Sequence, residues 1–336
     1  MMDVVTLAID DAIELCRRAA MVAGAGDETA RSLAVSVVMA DADGQPSVGV
    51  AHFLDYLDAL EAGRMDGKVE PEISRPAPAI IVSDARGGAA HTAFDRIVDE
   101  LAATARTLGV AFFTQRNAFT CGSLGQFVAR LADRGLVAIA ATNGPPIVAG
   151  SGSKGPVFCT NPMAFAAPRD DGPPVIVDQS SSATAFVNVR QAAREGRAIP
   201  AGWALDADGN PTTDPHAAMA GALLPFGGSR GANIALMVEI LAAGVSGANW
   251  SLDAPPFGTG SEGPGTGLFV LALAPVLVDA GFGARMAMQI ARLADAHGVH
   301  VPGVAKAHRR RMSERDGITV DATVWQRIAT IAARRG

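Results

Sequence analysis

The chain has 336 residues, a length that suits two or three domains, and 49% of them are hydrophobic, which supplies a sizeable core. A net charge of −6 leaves no basic field for nucleic acid, and no apolar run reaches the ~18 residues of a membrane span. Cys16, Cys121 and Cys159 are scattered and form neither a disulfide framework nor a metal pattern. The N-terminus carries Asp3 and Asp10 where a signal peptide would be basic, so a cytoplasmic protein is expected, with no metal, nucleic-acid or membrane partner.

Taken in order, Thr6 reads as an N-cap for a helix over 7–23, and Asp27 as the cap of a second helix that runs to about Met39. A third helix is expected from Val48 onward. Val50, Phe53, Leu54, Leu57 and Leu60 form its apolar stripe, while Val48, His52, Asp55 and Tyr56, the only tyrosine, share another face. Such a helix buries one side and presents an imidazole and a phenol on the other. Pro71, Pro76 and Pro78 then mark a boundary.

Beyond it the texture becomes α/β. Strands are expected at 80–82, 110–114, 136–141, 163–167, 175–177 and 268–273, with helices at 91–108, 123–133, 184–195 and 231–243. This alternation implies a sheet covered on both faces. Helical texture returns at 284–296 and 322–334. The expected fold is therefore a sheet domain inserted in a helical domain built from both termini. Its parts are 1–75 (helical), 76–280 (α/β) and 281–336 (helices packing back on the first part).

Two stretches match the spacing G-x-G-x-x-G, at Gly150, Gly152 and Gly155 and at Gly258, Gly260 and Gly263. Each runs into a proline rather than a helix, so neither can set a pyrophosphate on a helix N-terminus, and an ordinary Rossmann assignment fails. Better anion sites are the link from Arg116 to Ser123, between a strand and a helix, and Gly227 to Gly231, which opens a helix and carries Arg230. The basic run with Lys306 and Arg309 is either a solvated face or a contact for a cofactor 2′-phosphate.

Several phrases together resemble the malate/L-lactate dehydrogenase family, the non-Rossmann group that includes sulfolactate, ureidoglycolate and diketogulonate dehydrogenases and Δ1-piperideine-2-carboxylate reductases. They are Thr160-Asn161-Pro162 followed by Ala164-Phe165-Ala166, the run 192–196, Gly202-Trp203-Ala204-Leu205-Asp206 with Pro211-Thr212-Thr213, Gly221 to Pro225 with Gly227-Gly228, and Pro302-Gly303. The resemblance implies a homodimer with a non-Rossmann NAD or NADP domain beside a helical domain and the active site between them. By position it implies cofactor contacts at Thr120, Cys121, Gly122, Ser123, Leu124, Asp178, Gln179, Ser180, Ser229 and Arg230, and places Thr160 near the substrate. Lys306 and Arg309 would add a preference for NADP.

The chain departs from that family at Ser47-Val48-Gly49-Val50-Ala51-His52, where the family reads Ser-His-Gly-x-x-Arg. The proton-donating histidine is Val48, the carboxylate-gripping arginine is His52, and the aspartate of the imine-reducing members is Asn188. Valine transfers no proton, so His52, one turn later, becomes the candidate acid–base group. Ser47 and Asn188 are candidate neutral partners, and Val48, Tyr56 and Thr160 candidate substrate contacts. Three readings stand: a 2-oxo/2-hydroxy acid dehydrogenase, a cyclic ketimine reductase, and a cofactor-binding protein that has lost its chemistry.

Overall fold

The computed structural model describes residues 3–334, and three of its hydrophobic cores are the largest. The first core joins the two ends of the chain. Strand β1 (Val4–Leu7) pairs antiparallel with β14 (Ile318–Asp321), and helices α1 (Ile9–Val22), α2 (Asp27–Ala42), α3 (Val50–Glu61) and α11 (Ala322–Ala332) pack together. Cys16, Leu33, Val37, Phe53, Leu57 and Ile328 are fully buried there. Thr6 is not a cap: it lies in β1 opposite Thr319, and the two hydroxyls hydrogen-bond. Asp27 is the first residue of α2 and Gly26 its cap.

Helix α3 starts at Val50, two residues later than the expected start at Val48. Pro46–Val48 form a 3-10 turn, and Gly49 is extended. The Asp41 carboxylate then accepts from Val50 N at 2.5 Å, a tertiary substitute for a local cap. A Cβ on Gly49 would collide with that carboxylate. Burial raises the Asp41 pKa, partly offset by the Val50 N–H.

The second core is a seven-stranded sheet. In chain order its strands are β2 (Glu72–Ala77), β3 (Ile80–Asp84), β4 (Val110–Ala118), β5 (Val137–Thr142), β8 (Met163–Ala167), β9 (Val175–Gln179) and β13 (Thr266–Leu273). In space they run β2-β3-β4-β13-β5-β8-β9, with only β3 and β4 parallel. The late strand β13 sits in the middle. Its Leu268, Val270 and Ala272 face α4 (Ala90–Leu108) and α5 (Gly125–Ala132), whereas Phe269 and Leu271 face α8 (Ser229–Glu239). This two-residue alternation is what a strand buried on both faces requires. Strand β2 was not expected. Its Pro76 is tolerated because β2 is an edge strand whose register shifts between Ser74 and Ala77. Helix α8 continues into a π-helical turn, Ile240–Gly244, packed so closely on β13 that a Cβ at Gly267 would strike the Ala242 carbonyl.

The third core belongs to a smaller lobe. Its five-stranded sheet contains β6 (Val148–Ala149), β7 (Pro156–Phe158), β10 (Ala204–Leu205), β11 (Pro211–Thr212) and β12 (Ala222–Leu223). Helices α6 (Phe186–Arg194) and α7 (Pro215–Ala220) cover it. Near the C-terminus α9 (Phe282–Ala291) and α10 (Val304–Asp316) behave differently. Lys306 and Arg310 of α10 reach Asp43 at the end of α2. Helix α9 does not join the N-terminal helices: with the ends of β5 and β13 it encloses a cavity, and the preceding Val278 is 92% exposed. Among the described residues no helix is long and apolar enough to cross a membrane.

Candidate active site

His52, on α3, lines a cavity of about 390 Å³ with Tyr56, Arg64, Phe119, Thr120, Arg190 and Phe257. Its Nδ1 lies 2.8 Å from Asp55 Oδ2, one turn along, and its ring meets Tyr56 edge-on at 4.8 Å. With Nδ1 donating to Asp55, Nε2 is the nitrogen left for a ligand. The hydrogen bond from His52 is the main reason the Asp55 carboxyl sits below its usual range, with weaker help from Arg190 and Arg327. Tyr56 is almost wholly buried, and burial pushes its hydroxyl pKa up, so it stays a neutral phenol. Its oxygen lies 3.1 Å from Thr120 Oγ1.

The other residues expected here are placed elsewhere. Ser47 and Val48 lie on the 3-10 turn rather than on the His52 face of α3, because the helix has not yet begun. Neither is among the residues that line the cavity. Asn188 is exposed on α6 and donates to Thr184 Oγ1 at 3.1 Å; the residue of that helix that reaches the cavity is Arg190. Thr160 sits in a turn held by its carbonyl, which accepts from Ser181 N at 2.8 Å. Arg64 and Arg190 are the functional candidates that sequence reasoning missed, since an isolated arginine carries no motif.

Thr120 begins the loop that links the cavity to a second cluster. Asp178, at the end of β9, accepts from Gly125 N at 2.8 Å and from Gln45 Nε2 at 3.4 Å. Gln45 Oε1 in turn accepts from Ser123 Oγ at 2.7 Å and Lys306 Nζ at 3.2 Å. The positive end of α5, expected to be an anion site, is thus already capped by a carboxylate of the chain. Lys306 is also committed, 3.3 Å from the buried Asp43. Arg309 is exposed beside Gly44, and it is Arg310 that pairs with Asp43. The Cys121 thiol, held by Thr142 Oγ1 at 3.2 Å, and the Leu124 side chain both point into the core. Burial raises the Cys121 pKa to about 11. Only the backbone of these two can face a cofactor.

After Asp178, Gln179 is exposed and Ser180 Oγ lies 2.9 Å from Ser182 Oγ. Ser182 forms a bridge with Pro225, beside a cavity of about 360 Å³ lined by Gly150, Gly152, Gly202, Gly227, Gly228 and Ser229. Gly227 and Gly228 take φ of +57° and +64°, and α8 begins there without a side-chain cap. Bare backbone, glycine-lined space and free helical N–H groups fit a dinucleotide phosphate. The loop at Gly150, refused as a dinucleotide fingerprint, forms one wall. Arg230 is exposed on the first turn of α8.

Beneath the Thr120–Leu124 loop lies His91, buried on α4. Its Nε2 is 2.9 Å from Ser36 Oγ, its Nδ1 is buried without a partner, and its ring stacks on Phe127. Burial lowers its pKa to about 4. A histidine depressed in the fold contributes stability above its unfolded pKa of ~6.5, and loses it as pH falls toward the folded value. The urea midpoint should therefore drop between pH 6.5 and 4, and His91→Gln should flatten that part of the profile. An unchanged slope in the variant would acquit His91.

The comparisons with known proteins identify the family. A family model for malate/L-lactate dehydrogenase matches residues 7–329, and the chain belongs to that family. It is an oxidoreductase. A Δ1-pyrroline-2-carboxylate/Δ1-piperideine-2-carboxylate reductase from Pseudomonas syringae pv. tomato is 36% identical over 333 residues, 97% of this chain and 96% of that protein. A (2R)-3-sulfolactate dehydrogenase (NADP(+)) from Chromohalobacter salexigens is 35% identical over 310 residues, 91% of each chain. The crystal structure of Δ1-piperideine-2-carboxylate reductase from Pseudomonas syringae superposes with a TM-score of 0.93, at 34% identity, covering 97% of this chain and 99% of that one.

Proposed function

We propose that the chain moves a hydride between a nicotinamide cofactor and the carbon next to a carboxylate in a small cyclic ketimine acid, of the Δ1-pyrroline- or Δ1-piperideine-2-carboxylate class. The observation that carries this reading is the His52 cavity. It offers cationic and hydroxyl groups beside the aromatic wall of Phe119 and Phe257, whose rings meet at 5.9 Å, and it adjoins the Thr120–Leu124 loop. A ketimine arrives protonated on nitrogen, so its reduction needs less from an enzyme acid than a ketone does, which suits a chain with valine at position 48. Reduction of a 2-oxo acid of the malate, lactate or sulfolactate type is the second reading. Arg64 and Arg190 favour it, since two guanidiniums can hold a substrate with two acidic groups.

The cofactor, when bound, supplies or accepts the hydride. The Gly227–Ser229 backbone would hold its phosphates, with Ser180, Asp178 and the Thr120–Leu124 loop along its length. NADP(H) is the preferred form in this reading, because Arg230 and Arg309 are exposed and form no ion pair within the described residues. Assays of Δ1-pyrroline-2-carboxylate, Δ1-piperideine-2-carboxylate, sulfopyruvate and oxaloacetate, each with NADH and NADPH, test both choices. The ketimines should give the highest kcat/KM, and Arg230→Ala should weaken NADPH binding ~10-fold or more without changing NADH binding. Equal affinities, unaltered in the variant, would remove the phosphate role. Cofactor binding without turnover of any of the four would leave a binding protein that has lost its chemistry.

We also infer a cytoplasmic homodimer. Val276, Leu277, Val278 and Met288 are more than half exposed around the α9 cavity, an apolar surface that a second copy would cover. A monomer in light scattering at micromolar concentration would reject the dimer.

A further inference from the structure

Two arginines approach the His52 cavity from different parts of the fold. Arg64 lies just after α3, on the helical side, and Arg190 lies on α6 of the smaller lobe. Neither forms an ion pair among the described residues, and Arg64 Nε is buried with no hydrogen-bond partner. An N–H of a guanidinium taken out of water without an acceptor is costly. The carboxylates in the cavity wall do not supply one: Asp55 is engaged by His52, and Asp58 is exposed and forms no ion pair among the described residues. An anion brought by the ligand would supply that acceptor.

We propose that Arg64 and Arg190 clamp the substrate carboxylate between the two lobes, a role that leaves position 52 free to carry an imidazole instead of an arginine. The clamp rests on the reading that this cavity binds an α-imino or α-oxo acid. It also explains the distribution of chemistry around the cavity. The two guanidiniums fix the acid end, Phe119 and Phe257 cover the apolar part of the substrate, and His52, Tyr56 and Thr120 are left for its nitrogen or oxygen. Because the two arginines belong to different lobes, a bound carboxylate would tie the lobes together, whereas a neutral analogue would not.

The test uses the whole protein with NADP(+) and two probes of the same shape, pyrrole-2-carboxylate and pyrrole-2-carboxamide, with binding read by calorimetry. The wild type should bind the acid ~10–100-fold more tightly than the amide, since charge-assisted hydrogen bonds to a guanidinium are the strong ones. Arg190→Met, at an exposed position, and Arg64→Met should each shrink that ratio about tenfold and raise substrate KM more than they lower kcat. Cofactor affinity and thermal midpoint should hold. A wild type that does not distinguish acid from amide overturns the clamp, and so does an unchanged ratio in folded Arg190→Met. Turnover is read separately. Normal turnover with an unchanged ratio removes the arginines but spares the reaction. A ratio that collapses in the variants of a protein without turnover spares the clamp but removes the reaction.

Discussion

His52→Ala should lower kcat by roughly 10²–10⁴ while leaving cofactor affinity unchanged. The imidazole is the group in the cavity wall best suited to general acid–base work, with Nε2 left open toward the cavity. Tyr56 is held neutral by burial, and Thr120 is an alcohol. Asp55 fixes the ring from Nδ1 at 2.8 Å and presents Nε2 to the ligand. Asp55→Asn should therefore give a smaller loss of the same kind, because the ring keeps its place on α3 but loses its orienting charge. If His52 only held the substrate, His52→Ala would raise KM and spare kcat. If neither parameter moved, the proton would have to come from water or from Tyr56, and the histidine would drop out of the mechanism.

The order of elements was legible because periodicity is a local property. The strand β13 alternates Leu268, Phe269 and Val270 between two cores, and that pattern is visible without any partner. The start of α3 was not legible, because its cap is a carboxylate contributed from α2, nine residues upstream, and nothing near Gly49 announces it. The resemblance supplied the family and candidate loops, but it could not say that Asp178 spends itself on Gly125 N, or that Lys306 is shared between Gln45 and Asp43. Such commitments are long-range, and they decide which groups remain for a ligand. Arg64 and Arg190 show the same point from the other side. They are ordinary in the sequence and become candidates only when the fold brings both to one cavity and leaves one of them with a buried, unpartnered N–H. Asn188 is the opposite case: its position matches, but on α6 its amide is turned to Thr184 Oγ1 and it does not line the cavity.

The second large effect should come from a residue that touches no ligand. Glu239 ends α8, 4% exposed, and its carboxylate accepts three hydrogen bonds: from Asn161 Nδ2 at 2.7 Å, Ser251 N at 2.6 Å and Ser251 Oγ at 2.7 Å. No cation pairs with it among the described residues, so these donors are what make a buried carboxylate tolerable. They also hold the turn at Thr160. Asn161 is fully buried in a left-handed conformation at φ +37°, its amide donates a second bond to Ala235 O at 2.8 Å, and its carbonyl accepts from Ser181 Oγ. Glu239→Gln replaces one acceptor by a donor that faces donors. It should cost about 1.5–3 kcal/mol, the worth of one hydrogen bond to a charged group. Glu239→Ala removes the acceptor of all three bonds and should cost more. In urea the midpoint should fall with an unchanged slope, the sign of lost stability rather than of an altered unfolded state. The chemistry should register the same change. With Asn161 released, Thr160, which the family resemblance places near the substrate, loses its fixed position, so kcat/KM should fall in Glu239→Gln even at temperatures where the variant is fully folded. A midpoint that stays put would mean that water or a rearranged Ser251 replaces the carboxylate, and that the Thr160 turn stands without it.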